Sequence, residues 1–467
     1  MFKTWTDISS LHELYKSKKI KPSEVVGWYL DRISKLNPLL NAFITVTSDE
    51  ALKKAKELDN KIDEIDKYPL FGIPVAFKDI YMTEGIKTTA GAKLLENYIG
   101  QYDATVVKKY LDAGAICVGK LNCDAWAHGS SGENSDFGPT KNPWNIEYVS
   151  GGSSSGAAAA ISADLCMVTG GTDTGGSIRC PASFCGVTGF KPTYGRVSRY
   201  GIIAMASSLD SVGHFASSAE DCARVLAVTA GFDAHDATSS LKSSPTFPIK
   251  DSPQKIRIGI PKEFQATDPE VQKIVAQAID QVAKIYGTSP IIVSLPHSST
   301  GLATYYIVQP AEVSSNLARF DGIRYSHDRS AFGSEAKRRI MLGTYTLSSG
   351  YYDAYYNTAQ KVRTKVIEDF DQAFKQVDIL LSPVMPHPAF KIGEKNADPL
   401  SLYLEDILTV TVNLSGLPAI SIPCGFTANK LPVGLQIIAP QFAEDLLFSV
   451  AKSYQNQTHH HEQKPTL

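Results

Sequence analysis

Residues 151–177 constrain this chain more than any other stretch. They open with Gly151-Gly152-Ser153-Ser154-Ser155-Gly156 and close with Thr172-Asp173-Thr174-Gly175-Gly176-Ser177. Between them lies the small, apolar run 157–169, one helix and one strand in length. Glycine has no Cβ, so glycine-flanked turns reach positive φ and let backbone amides approach a bound group closely. Successive amides in such a turn form an anion-binding concavity. A serine at its end brings nucleophile and oxyanion donors together, as acyl transfer requires. One Gly/Ser-rich loop reads as a flexible surface turn; two joined by a helix-and-strand length read as halves of one site.

Around this stretch the periodicity alternates between strand and helix. Residues 8–67 read as helical apart from a short strand at 42–46, with Ser23 and Ser48 as candidate caps. Buried strands are expected at 73–77, ending at Lys78, and at 115–119. Further strands are expected at 187–190, 256–260, 291–294, 379–381, 419–422 and 434–439. Helices are expected at 105–111, 218–230, 268–285, 302–320, 334–375, 402–408 and 444–454. The run 234–253, rich in Ser, Asp and Pro, reads as a surface crossing. Such β–α–β alternation predicts an α/β protein with helices layered on a parallel or mixed sheet.

Composition narrows the setting. Across 467 residues, Lys+Arg is 46 and Asp+Glu is 48, for a formal net charge of −2. That balance gives no electrostatic footprint for nucleic-acid binding by the chain itself, though a partner could hold the nucleic acid. The first six residues lack the apolar stretch of a signal peptide, and no run approaches a membrane span. Seven cysteines are scattered with no CxxC pair, so a reduced, cytoplasmic setting is expected. Cys180 and Cys185, near the second cluster, are rival nucleophiles or buried core cysteines. His459-His460-His461 reads as a solvated tail without partners to complete a metal site.

Several chemistries compete for the serines. Gly152-Ser153-Ser154-Ser155-Gly156 satisfies G-x-S-x-G, which would make Ser154 a nucleophile with a base such as His387 downstream. Against this, 145–149 is a poor buried strand and no His-Gly-Gly-Gly element lies upstream. Gly114-x4-Gly119-Lys120 nearly matches a phosphate loop, but the residues between its glycines are strand-like and Leu121 replaces the Mg²⁺-binding hydroxyl. A lysine can replace histidine as base if burial leaves its amine neutral. Lys78 ends an apolar strand and so qualifies; the competing reading is a plain ion pair with Asp79.

Taken together, Lys78, the first cluster and Gly171-Thr172-Asp173-Thr174-Gly175-Gly176-Ser177-Ile178-Arg179 resemble the amidase signature enzymes. The resemblance runs nearly end to end. It includes Glu133-Asn134-Ser135, Lys191-Pro192-Thr193-Tyr194-Gly195-Arg196, the 319–325 motif, Lys337-Arg338-Arg339-Ile340, Gly350-Tyr351-Tyr352-Asp353 and Asn413-Leu414-Ser415-Gly416. It is strongest to the branch serving glutamyl-tRNA(Gln) and aspartyl-tRNA(Asn) amidotransferases. It implies one α/β/α domain with a large mixed sheet, residues 1–67 forming a mainly helical segment and 68–467 the catalytic core. It also implies a Ser177–cis-Ser153–Lys78 triad and an oxyanion hole from the amides of Thr174, Gly175, Gly176 and Ser177. Tyr305, Arg339 and Asp406 are the implied glutamine contacts, the last two for carboxylate and ammonium. The implied partners are B-type and small C-type subunits and, through them, charged tRNA, with no cofactor in this chain and ATP and Mg at the partner. A stand-alone amidase of small amides and a binding protein with a vestigial site are the alternatives. Three departures stand out: His128 where Met is usual, Gly132 where Thr is usual, and a short 326–333 connection.

Overall fold

Apolar runs bounded by glycine or proline become the strands. In chain order these are β1 (Phe43–Val46), β2 (Pro74–Lys78), β3 (Ile116–Leu121), β4 (Lys141–Asn142), β5 (Asn145–Val149), β6 (Val168–Asp173) and β7 (Thr188–Lys191). They continue as β8 (Ser211–Ala216), β9 (Ile258–Pro261), β10 (Ile291–Val293), β11 (Ile379–Pro383), β12 (Ala419–Phe426) and β13 (Pro432–Ile438). The computed structural model describes residues 5–250, 254–322, 324, 327–395 and 398–467. The first four residues, the end of the 234–253 crossing, Ile323 and Tyr325 of the 319–325 motif, and the start of the 326–333 connection lie outside the described residues.

Eleven strands form one mixed sheet in the order β1-β3-β2-β6-β8-β7-β12-β13-β11-β9-β10; β4 and β5 make a separate hairpin. β2 runs parallel to both β3 and β6, and β9 runs parallel to β10 and β11. The β6–β8–β7–β12–β13–β11 run between these groups is antiparallel. β2 and β6 are buried at every residue, as parallel strands covered on both faces must be. Helices Ser155–Ser162 and Arg179–Cys185 touch each other; the first lies on β2, β3 and β6, the second on β7, β12 and β13. Helices Ala219–Thr229, Pro269–Tyr286 and Glu444–Thr458 form a second packed group against β7, β8 and β11–β13. The layered α/β expectation holds.

Several local expectations need correction. Ser23 is not a cap: Lys21 is the N-cap, Pro22 opens the helix, and the Ser23 hydroxyl donates to Asp59 at 2.5 Å. Proline fits that first position because it has no N–H to leave unpaired. Thr47, not Ser48, holds the cap position of the next helix. The long 334–375 helix is two, Ser334–Thr346 and Thr358–Gln376, parted by Gly350 at φ +85° and a π-helical turn at Tyr352–Asn357. β8 lies outside all the expected strands. No helix of the described residues is long and apolar enough to cross a membrane.

Candidate active site

The carboxyl ends of the parallel strands β3, β2 and β6 lie side by side, and the candidate residues gather there. In open α/β sheets this is where ligands bind. Lys78 is the last residue of β2 and is fully buried. Its Nζ donates to Ser153 Oγ at 2.7 Å and to Thr172 Oγ1 at 3.0 Å. Burial lowers its amine from 10.5 to about 8, against the pull of Cys123, Asp124 and Asp210. The Asp79 ion-pair reading is overturned. Neighbouring strand residues point to opposite sides, and Asp79 instead meets Lys120 at 3.1 Å together with the amide and hydroxyl of Thr89. Lys120 is thereby buried on β3, donating also to Tyr81 O and Thr88 Oγ1 at 2.8 Å, which removes it from any phosphate loop.

The two serine clusters are knitted together. The Gly152–Ser153 peptide is cis, as the resemblance implies. Gly152 N donates to Ser130 O at 2.9 Å, and Asp124 N donates to Ser153 O at 3.2 Å. Ser154 N donates to Ser177 O at 3.2 Å, and Ser154 Oγ donates to Thr172 O at 3.1 Å. Ser154 is thus fully buried and committed to positioning, at the head of helix Ser155–Ser162. Its proposed base lies elsewhere: His387 Nε2 meets Glu405 Oε1 at 2.8 Å, and Lys395 joins the same pair. The nucleophile-elbow reading therefore has no geometric support. Cys180 and Cys185 donate to Ser130 O and Ser150 O, and burial pushes both thiols up; neither is poised as a thiolate.

Residues 173–177 form the turn after β6. Ser177 is 8% exposed, whereas Ser153 and Lys78 are at 0%, so solvent meets Ser177 first. Asp173 organises the turn, accepting from Gly176 N at 2.9 Å, Ile178 N at 3.2 Å and Arg179 N at 3.3 Å. Burial would raise its carboxyl, but Arg179, paired at 2.9 Å, holds it well below the usual range. Arg179 reaches on to Gln436 and Asn413. One expected oxyanion donor is thereby lost: the Gly176 amide is spent on Asp173, leaving the amides of Thr174, Gly175 and Ser177. Gly176 has φ +137°, and a Cβ there would meet Thr409. The Thr174 hydroxyl donates to Asp210 at 2.7 Å. Sequence reading assigns no role to Thr172, Asp173, Arg179 or Asp210, although the first three lie inside the second motif.

Tyr305, Arg339 and Asp406 all meet Tyr306, and Tyr305 lies against this turn. Gly175 lies against Tyr305, whose hydroxyl a Cβ on that glycine would meet at 2.6 Å. Arg339 is 3% exposed; its Nε donates to Glu335 at 2.8 Å and its guanidinium lies 5.5 Å from the rings of both Tyr306 and Tyr403. Tyr306 OH donates to Asp406 Oδ2 at 2.8 Å. Loss of surrounding water drives the Asp406 carboxyl up to about 7. Beside them opens a cleft of about 270 Å³ lined by Gly129, Ser130, Glu133, Arg338, Arg339 and Tyr403, among others. Sequence reading misses Glu335, four residues before Arg339; the i,i+4 spacing is its signal. Gly132, at φ +83°, packs on Ser155 and Gly151 rather than on the cleft, so this departure from the family pattern concerns serine-loop packing. At the C-terminus His459 Nδ1 does meet a carboxylate, Glu462, at 2.8 Å.

A buried Lys78–Ser153 pair behind the small-residue turn that carries Ser177, with a charged cleft beside it, supplies the kinds of group that acyl transfer from an amide needs. Comparison with known proteins points the same way. The model of the Amidase family matches residues 24–448. The A-type subunit of the glutamyl-tRNA(Gln) amidotransferase of Geobacter metallireducens is 49% identical over 98% of each chain. The crystal structure of the equivalent glutamyl-tRNA(Gln) amidotransferase chain from Thermotoga maritima superposes with a TM-score of 0.80 at 41% identity, covering 93% of this chain and 92% of that one. The structure of 6-aminohexanoate cyclic dimer hydrolase gives a TM-score of 0.89 at 26% identity, covering 100% and 99%.

Proposed function

This chain belongs to the amidase family, and we propose that it is the glutamine-hydrolysing A-type subunit of a tRNA-dependent amidotransferase. The observation that carries the chemistry is Lys78 Nζ on Ser153 Oγ at 2.7 Å, with burial bringing the amine to about 8. Neutral Lys78 takes the proton of Ser153, Ser153 takes that of Ser177, and Ser177 Oγ attacks the side-chain amide carbon of glutamine. The amides of Thr174, Gly175 and Ser177 receive the oxyanion; one such donor is typically worth about 10²–10³ in rate. Collapse of the tetrahedral adduct returns a proton through the relay to the leaving nitrogen and releases ammonia. Water then hydrolyses the glutamyl ester and regenerates Ser177.

In the pocket, Arg339 takes the glutamine carboxylate, Asp406 the ammonium, and Tyr305 lies between the pocket and the oxyanion turn. The full chain acts as one catalytic domain. Near-identity in length with the A-type subunits of amidotransferases supports a B-type partner, and a small C-type one, that receive the ammonia and amidate Glu-tRNA(Gln) or Asp-tRNA(Asn). ATP and Mg act at that partner. Ser177→Ala tests the reading: it abolishes glutamine hydrolysis while circular dichroism and Tm stay near those of the unmodified protein. Retained hydrolysis would refute Ser177 as nucleophile. Co-purification with a B-type partner separates this function from that of a stand-alone amidase.

A further inference from the structure

His128 is one of the departures from the family pattern, and its surroundings give it a use. It is 1% exposed, yet neither ring nitrogen has a hydrogen-bond partner. Its main chain is fully engaged: its N–H donates to Ala125 O at 3.0 Å, and its carbonyl accepts from the Asn134 side chain at 2.8 Å. The backbone is therefore fixed while the imidazole is left open. An orphaned buried polar group is costly to a fold, so one that is kept calls for a partner such as a water, an ion or a bound ligand. The next two residues, Gly129 and Ser130, line the cleft shared with Arg339. Burial, and after it the charge of Arg339, push the imidazole well below its ordinary range. A neutral imidazole offers one N–H donor and one acceptor.

We infer that His128 is a specificity-determining residue, whose ring N–H donates to the same substrate carboxylate that Arg339 holds. The inference rests on the glutamine reading above and deepens it. Arg339 already spends its Nε on Glu335, so a second donor from the segment that carries Gly129 and Ser130 would fix the carboxylate's orientation. That selects amides carrying a carboxylate over neutral amides of the same length. The competing account is a histidine that only fills space, and the two differ in what they do to binding.

The test is steady-state kinetics of His128→Met and His128→Gln, each in the native assembly, with glutamine and with butyramide. Methionine keeps the bulk and removes the N–H; glutamine restores a donor. His128→Met should raise the glutamine KM roughly ten- to a hundredfold, the effect of one lost hydrogen bond to a charged group. Its kcat should change by less than about threefold, and kcat/KM for butyramide should fall far less than that for glutamine. His128→Gln should recover most of the KM. A normal glutamine KM in His128→Met would overturn the inference and leave the glutaminase reading intact. Equal losses on glutamine and butyramide would assign His128 to packing and overturn it too. If the unmodified protein hydrolyses no glutamine, both readings fall.

Discussion

Lys78 must be neutral to act, and its burial sets the pH at which it is. With an ordinary lysine at 10.5, about one amine in a thousand is free base at pH 7.5; at about 8 the fraction is about a quarter, a gain of roughly two hundredfold. The kcat/KM for glutamine should therefore rise tenfold per pH unit up to about 8 and level off above it. Below about 7 the slope should steepen, because Asp406 then takes a proton and loses its hold on the ammonium. Lys78→Arg keeps a charge and donors but cannot release a proton, so it should be inactive at every pH. Stability carries the same signature. The unfolded lysine keeps its proton to 10.5 and the folded one releases it near 8, so the unfolded chain binds more protons across that window and stability rises with pH. Lys78→Met lacks this titration. The stability difference between native protein and variant should thus move by about 3 kcal/mol in favour of the native protein between pH 8 and 10.5. The assay is urea unfolding across that range beside the pH–rate profile. A flat profile through pH 8, or an active Lys78→Arg, would refute the neutral-lysine relay.

Other outcomes follow from the same contacts. Arg339→Leu should raise the glutamine KM several hundredfold, since truncating one side of a buried charge pair costs roughly 3–5 kcal/mol, and should spare neutral amides; a normal KM would misplace the carboxylate site. Asp173→Asn should lower Tm and kcat together, because Arg179 is left buried without its carboxylate. The Asp173 carboxyl is depressed in the fold, so its stabilisation is complete above about 3.8 and is lost as pH falls below that value; acid unfolding of Asp173→Asn should lack that component. His387→Ala should leave Ser177 chemistry within about threefold, measured as kcat, because His387 belongs to the Glu405–Lys395 cluster.

The members of the candidate relay carry local signals in the chain, a lysine ending an apolar strand and serines framed by glycines, but only the resemblance to the amidase signature joins them into one relay. What sequence does not supply is the commitment of donors. Gly176 and Gly175 look alike in the chain, yet only a carboxylate folded back from Asp173 decides that the Gly176 amide is spent. Glu405 and Asp406 are adjacent on a helical turn, and pattern alone does not choose between them. In the fold Glu405 turns into the His387–Lys395 cluster and Asp406 meets Tyr306. β8 escapes notice because Gly213 and His214 interrupt its β-propensity; only pairing with β6 and β7 makes it a strand. There Gly213 sits under Phe190 O, where a Cβ would not fit.

The arrangement ties binding to chemistry through one short segment. Asp406, the proposed ammonium partner, meets Tyr306, and three residues on, the Thr409 hydroxyl donates to Gly175 O at 2.5 Å while its side chain occupies the space above Gly176. Thr409 O accepts from both Nη atoms of Arg179 at 3.2 Å, and Asn413 donates to Asp173 O and Oδ1. A shift of residues 406–413 that loosens Asp406 must therefore also move the carbonyl of Gly175 and the Asp173 carboxylate that shapes the 173–177 turn. On the proposed roles of Asp406 and of the turn's amides, docking the ammonium and aiming the oxyanion donors are for this reason one structural event, and a substrate lacking the ammonium should lose kcat as well as affinity.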